Sequence, residues 1–104
     1  APLLTKYLRF GWNNDPDQVI KLESFLNQNY NSGLKEDAIF DTDTEYAVMV
    51  FQYLYGNEIL SPWNLDIPTG IVYRTTRKKI NELYCKTVHE DAGELVPWSL
   101  FFVR

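Results

Sequence analysis

Three stretches of this chain place apolar side chains at helical spacing. In the first, Val19, Leu22, Phe25, Leu26 and Tyr30 recur on one side behind Asp15-Pro16-Asp17-Gln18, which sets an N-cap, a proline at the first helical position and a Gln three residues on. This pattern predicts a helix from Pro16 to about Asn29, ended by the turn-forming cluster Asn29-Tyr30-Asn31-Ser32-Gly33. In the second, Ala47, Val48, Phe51, Leu54 and Tyr55 follow a capping box made of Thr42 and Glu45, predicting a helix over 44–55 that stops at Gly56. The third begins near Thr75 or Thr76 and buries Ile80, Leu83 and Tyr84, with Arg77, Lys78, Lys79 and Glu82 mostly solvated, predicting a helix over 76–85. Between the last two helices, Asn57 to Pro68 holds two prolines and is expected to be a structured loop without helix.

The chain ends carry a different pattern. Ala1 to Phe10 and Glu94 to Arg104 look extended, and the second holds Leu95, Val96, Trp98, Leu100, Phe101, Phe102 and Val103, apolar on both alternating faces. Pro97 restricts a strand there to an edge or a bulge. The expected fold is therefore mainly α, a three-helix bundle over 11–86 with an extended N-terminal segment (1–10) and an apolar, strand-like C-terminal segment (87–104). A bundle offers no sheet for a two-sided apolar strand, so the termini pair with each other or one of them docks on a partner chain.

A short motif occurs twice, as Ala38-Ile39-Phe40-Asp41-Thr42-Asp43-Thr44 and as Gly70-Ile71-Val72-Tyr73-Arg74-Thr75-Thr76, each time before a helix. A small residue permits a tight turn, two apolar side chains plug it into a core, and the Thr hydroxyl can accept a bond from an orphan N–H of the following helix. Two copies of one helix-start device imply a pseudo-repeated helical domain.

Composition narrows the chemistry. A length of 104 residues suits one domain. The net charge of −4 argues against a nucleic-acid footprint. One Cys and one His, Cys85 and His89, exclude an intrachain disulfide and a structural zinc site. No membrane-spanning apolar run or signal segment is present, while the start at Ala1 without Met suggests a processed or excised chain from which a leader or further domains are missing.

The acidic run Glu36, Asp37, Asp41, Asp43, Glu45 begins with EF-hand ligand spacing, but Tyr46 stands where that loop needs Gly and Gln52 where it needs Glu. Asp43 and Glu45 instead favour a helix N-terminus. Acids crowded into one capping segment do not form a glycosidase cleft, and Cys85 with His89 lacks an orienting third group. A packed thiol and a surface His are expected. Neither an enzyme nor a cofactor follows from these residues.

Taken in order, Leu8-Arg9-Phe10-Gly11, then Val19, Leu22 and Phe25-Leu26-Asn27, then the Phe40 turn with Thr44, Ala47-Val48 and Phe51-Gln52, then Gly70-Ile71-Val72 with Thr76-Arg77 and Ile80-Asn81, the chain resembles the peptidoglycan-binding-like domain family over residues 8 to 85. The resemblance implies a three-helix, non-catalytic module of the cell envelope or extracellular space whose partner is peptidoglycan or another envelope polymer. The chain departs from the family pattern at Asp41-Thr42 and Tyr73-Arg74, where the family has Gly-Pro, and at Glu23, where it has Gln.

Candidate ligand-binding residues are Trp12, Trp63 and Tyr73, which offer ring faces to sugars or peptides, and Arg74 with Arg77, which could pair a carboxylate. The alternative is that these aromatics cap the core and the charges form a solvated helix start. A structural role is the second functional expectation: a subunit of an extracellular polymer or filament, self-assembling through Leu95, Val96, Trp98, Leu100, Phe101, Phe102 and Val103. Acidic charge around Asp37 to Glu45 and basic charge around Arg74 to Lys79 would suit head-to-tail contact.

Overall fold

The computed structural model describes residues 2–94. Leu95, Val96, Trp98, Leu100, Phe101, Phe102 and Val103, on which the expected assembly strand rests, lie outside the described residues. The described chain is helical: α1 spans Pro16–Tyr30, α2 Thr42–Leu54, α3 Gly56–Ile59 and α4 Arg74–Glu94, with a 3₁₀ turn over Ser61–Trp63.

Local chemistry sets these limits. Asp15 caps α1, its side chain accepting from Asp17 N and Gln18 N, and Pro16 fills the first turn, where its missing N–H costs nothing. Asn31 stops the helix in a left-handed conformation at φ 52°. The cap of α2 falls one residue before the expected Thr42. Asp41 is extended, and its carboxylate accepts from Thr44 N at 2.9 Å. Helix α4 starts at Arg74, just before the expected Thr75 or Thr76: Arg77 N already donates to Tyr73 O at 2.9 Å, and the Thr75 and Thr76 hydroxyls are bonded elsewhere. It also runs well past Cys85. No Pro or Gly interrupts it before Gly93, so 87–94 are helical and not strand-like.

The stretch over 57–68 is likewise not free of helix. Pro62 sits in the first turn of the 3₁₀ segment, the one place in a helix where proline is favoured, so it starts structure here instead of breaking it. Trp63 is thereby presented next to Leu60, whose carbonyl accepts from Trp63 N at 3.0 Å.

The core joins all of these elements. Val19, Leu22, Phe25 and Leu26 of α1 meet Val48 and Phe51 of α2 and Ile80 of α4, while Phe40 and Val72 enter from the two turns. Phe51 lies at the centre of the aromatic packing, edge-on to Phe25 at 6.0 Å and to Tyr30 at 5.4 Å. At its margin the Tyr30 and Tyr55 hydroxyls bond each other at 2.7 Å, and burial raises the Tyr30 phenol above its ordinary pKa. Leu54, expected inside, is 56% exposed, since the last turn of α2 carries it onto the solvent face.

The N-terminal segment finds its partners within the chain. Leu4 and Leu8 are core residues. Leu8 exchanges two backbone hydrogen bonds with Val72, at 3.1 and 2.8 Å, in an isolated antiparallel bridge. Asn81 on α4 clamps both the N–H and the carbonyl of Leu4, and Gln18 accepts from Thr5 N and Lys6 N instead of closing a capping box. Polar groups of the extended chain are therefore met by side chains in place of a sheet.

Candidate functional site

The repeated motif builds two turns of one design. Its small residue has positive φ in both copies, 67° at Ala38 and 77° at Gly70. The next N–H is held by the side chain two residues back, Ile39 N by Asp37 and Ile71 N by Thr69, each at 3.1 Å. One apolar residue then plugs the core, Phe40 or Val72, whereas Ile39 is 59% exposed, so the first turn has a single plug rather than two. The terminal Thr of each copy is buried and bonds a buried side chain of the preceding helix: Thr44 to Glu23 at 3.0 Å, Thr76 to Gln52 at 3.0 Å. Neither hydroxyl serves as the N–H cap expected of it.

The second turn is fully closed. Gln52 Oε1 accepts from Thr69 N and Gly70 N, both at 2.9 Å, and Nε2 donates to Thr69 Oγ1, Ile71 O and Thr76 Oγ1. Every donor and acceptor of this amide is in use. A Cβ on Gly70 would come within 2.7 Å of Glu45 Cγ, so both the positive φ and the Glu45 side chain favour glycine there.

A cavity of about 340 Å³ opens over this second turn. Its floor includes Gln52, Thr76 and Ile71, its inner wall Ile59 and Leu60, and its rim Trp12, Trp63, Tyr73 and Arg9. The three aromatic residues singled out in the sequence thus surround one space, although they come from three separate segments. The rings of Tyr7, Tyr73 and Trp63 form a continuous row, with centroids 4.5 and 5.7 Å apart. Trp63 is oriented by its indole N–H, which donates to Thr75 Oγ1 at 2.9 Å, and Thr75 in turn donates to Ile59 O at 2.7 Å. Trp12 is placed by the turn at Gly11, where φ is 86°, and by Asn14, which bonds the N–H and carbonyl of Arg9 and the carbonyl of Trp12.

The cations are distributed differently from the sequence expectation. Arg77 lies away from the cavity, donating to Thr5 O at 3.1 Å and stacking on Tyr7 at 4.6 Å, and so fastens the N-terminal segment. Arg74 is exposed beside Tyr73, 5.9 Å from the ring centroid, and the Tyr7 hydroxyl raises its pKa further. The guanidinium at the rim is Arg9, 5.4 Å from the Trp12 ring centroid. Arg9 entered the sequence reading only within Leu8-Arg9-Phe10-Gly11, one of the runs that carry the family resemblance, and not as a candidate ligand residue.

Because the polar atoms of the floor bond one another, the cavity offers a ligand ring faces and aliphatic surface, with positive charge at the edge. Such a lining suits a sugar face or a small apolar group that carries a nearby carboxylate. Among the described residues, no group of three or more His, Cys, Asp or Glu could hold a metal, and no helix is long and apolar enough to cross a membrane. Cys85 is exposed on α4, not packed as expected, and the side chain of His89 lies outside the described residues.

Residues 15–58 match the family model of the putative peptidoglycan binding domain. This segment carries α1, the first turn, α2 and most of α3, so over 15–58 the resemblance read from the sequence has a direct match, and the helices described there agree with it. The match to the putative peptidoglycan binding domain includes Glu23 and Gln52 but ends before the second turn; of the cavity residues it takes in Gln52 alone. No curated protein and no solved structure matches the chain.

Proposed function

We propose that this protein is a non-catalytic module of the cell envelope that holds peptidoglycan in the cavity over its second turn. The observation that carries this reading is the convergence of Trp12, Trp63 and Tyr73, with Arg9 at their edge, on one apolar space. The family match over 15–58 supports the polymer as partner. Peptidoglycan combines what such a cavity can recognise: pyranose faces and N-acetyl methyl groups that pack on aromatic rings, and peptide carboxylates that pair with a guanidinium. Three rings at a rim can orient a ligand, while the internally bonded floor offers it few polar atoms.

Co-sedimentation with insoluble peptidoglycan tests this reading. Trp12 is 48% exposed and is not one of the buried core residues, so Trp12→Ala should change the melting temperature little. Loss of one stacking face should weaken retention by roughly 3- to 10-fold. Arg9→Ala should weaken retention at low ionic strength, and its difference from the wild type should shrink as salt is raised. Wild-type protein that stays in the supernatant removes the proposal, and full retention by both variants moves the site elsewhere.

A further inference from the structure

The two turns differ at one buried atom. Where Gln52 presents an amide nitrogen to Thr69 Oγ1, Ile71 O and Thr76 Oγ1, the first turn sets Thr44 Oγ1 against the Glu23 carboxyl, with Ile39 O and Asp41 Oδ1 around the same hydroxyl. Around Thr44 Oγ1 stand three acceptors: Glu23 Oε2 at 3.0 Å, Asp41 Oδ1 at 3.0 Å and Ile39 O at 3.5 Å. A hydroxyl has one hydrogen to give. Glu23 is 1% exposed, and its Oε1 is buried with no hydrogen-bond partner. The bond set of the first turn therefore lacks a hydrogen that the amide supplies in the second.

We propose that the first turn is a proton-operated latch: a proton taken from solvent onto Glu23 supplies the missing donor to Thr44, whose own hydrogen then goes to Asp41, and tightens the 31–41 loop against α1. Loss of that proton leaves two carboxylates competing for one hydroxyl. The charges that act on Glu23 are those of Asp37 and Asp41, both negative, and both oppose its ionisation. Burial is the largest influence and raises the carboxyl above its ordinary value of 4.5, outweighing the Thr44 bond and the Ala38 N–H. Asp41 behaves oppositely. Thr44 N stabilises its charged form, so the cap stays ionised while Glu23 takes the proton.

The sign follows from linkage. A carboxyl raised in the folded state binds more protons folded than unfolded, so its contribution is fully present below 4.5 and is lost as pH rises through the folded value. The test compares wild type with Glu23→Gln, which places in the first turn the group found in the second. From about pH 4.5 to about pH 8, the melting temperature of the wild type should fall, while that of Glu23→Gln stays level and exceeds it at neutral pH by at least about 4 °C. Parallel curves, or a less stable Gln variant at every pH, overturn the latch. A direct readout accompanies the melts: the ¹³C-carboxyl titration of Glu23 in the folded wild type should have its midpoint above 4.5, and a midpoint at or below that value overturns it too.

Discussion

The first and second turns share a backbone and differ in what closes them. Over the second, a neutral amide makes five hydrogen bonds and leaves nothing open, and the cavity stands on that rigid floor. Over the first, a carboxyl is met by the Thr44 hydroxyl and the Ala38 N–H and keeps an oxygen without a full hydrogen bond, and Ile39 and Tyr46 stand exposed beside it. One atom, nitrogen against oxygen, thus separates a turn whose closing side chain is fully bonded from one whose closing side chain is not. The match to the putative peptidoglycan binding domain covers the first of these, and the candidate site lies over the second.

Removing the closing side chain should expose this difference most strongly. Gln52→Leu strands the N–H groups of Thr69 and Gly70 and the carbonyl of Ile71, and should cost on the order of 3–5 kcal/mol in denaturant unfolding. Glu23→Leu takes a partner from the Ala38 N–H alone, because Thr44 keeps Asp41, and deletes a buried oxygen that lacks a full hydrogen bond; its cost at neutral pH should stay well below that of Gln52→Leu, at about 1 kcal/mol. Equal losses would mean that the two side chains are equivalent supports after all.

The small residue of each turn gives a lesser, opposite pair of effects. Gly70→Ala adds a Cβ at positive φ and displaces Glu45, and should cost about 1–2 kcal/mol. Ala38 already bears that penalty at φ 67°, so Ala38→Gly should stabilise the domain by about 0.5–1 kcal/mol. Thermal melts that move in the same direction for both substitutions would contradict the shared backbone.

These contrasts also show how much the sequence made legible. The repeat was visible because positive φ, a core plug and a buried Thr constrain residue type at fixed spacing, and α1 and α2 were visible because their caps and periodicity agree. Missed features depended on context that no local pattern carries. Pro62 looked like a breaker, yet in a first turn it starts a helix, and that turn aims Trp63. Leu54 fits the α2 stripe by spacing alone, but the helix ends there and its side chain is left more than half exposed. The three aromatics of the cavity stood out as exposed-loop rings. What brings them together is the docking of the N-terminal segment through Leu8, Asn81 and Gln18, and the same docking takes up Arg77 and leaves Arg9 at the rim. Glu23 stood out only as an acid where Gln is usual; its missing hydrogen appears once Thr44, Asp41 and Ile39 are placed around it.

The central claim is that the second turn binds and the first does not. An NMR titration of the intact protein with soluble peptidoglycan fragments tests it most directly, because the Trp63 indole N–H, bonded to Thr75, and the Trp12 indole report on the cavity independently of the rest of the fold. The account predicts saturable shifts at both indoles and at the Thr75 and Thr76 amides, with Ile39, Asp41 and Tyr46 unmoved. Shifts centred on Ile39 and Tyr46, or none anywhere at saturating fragment, would contradict it.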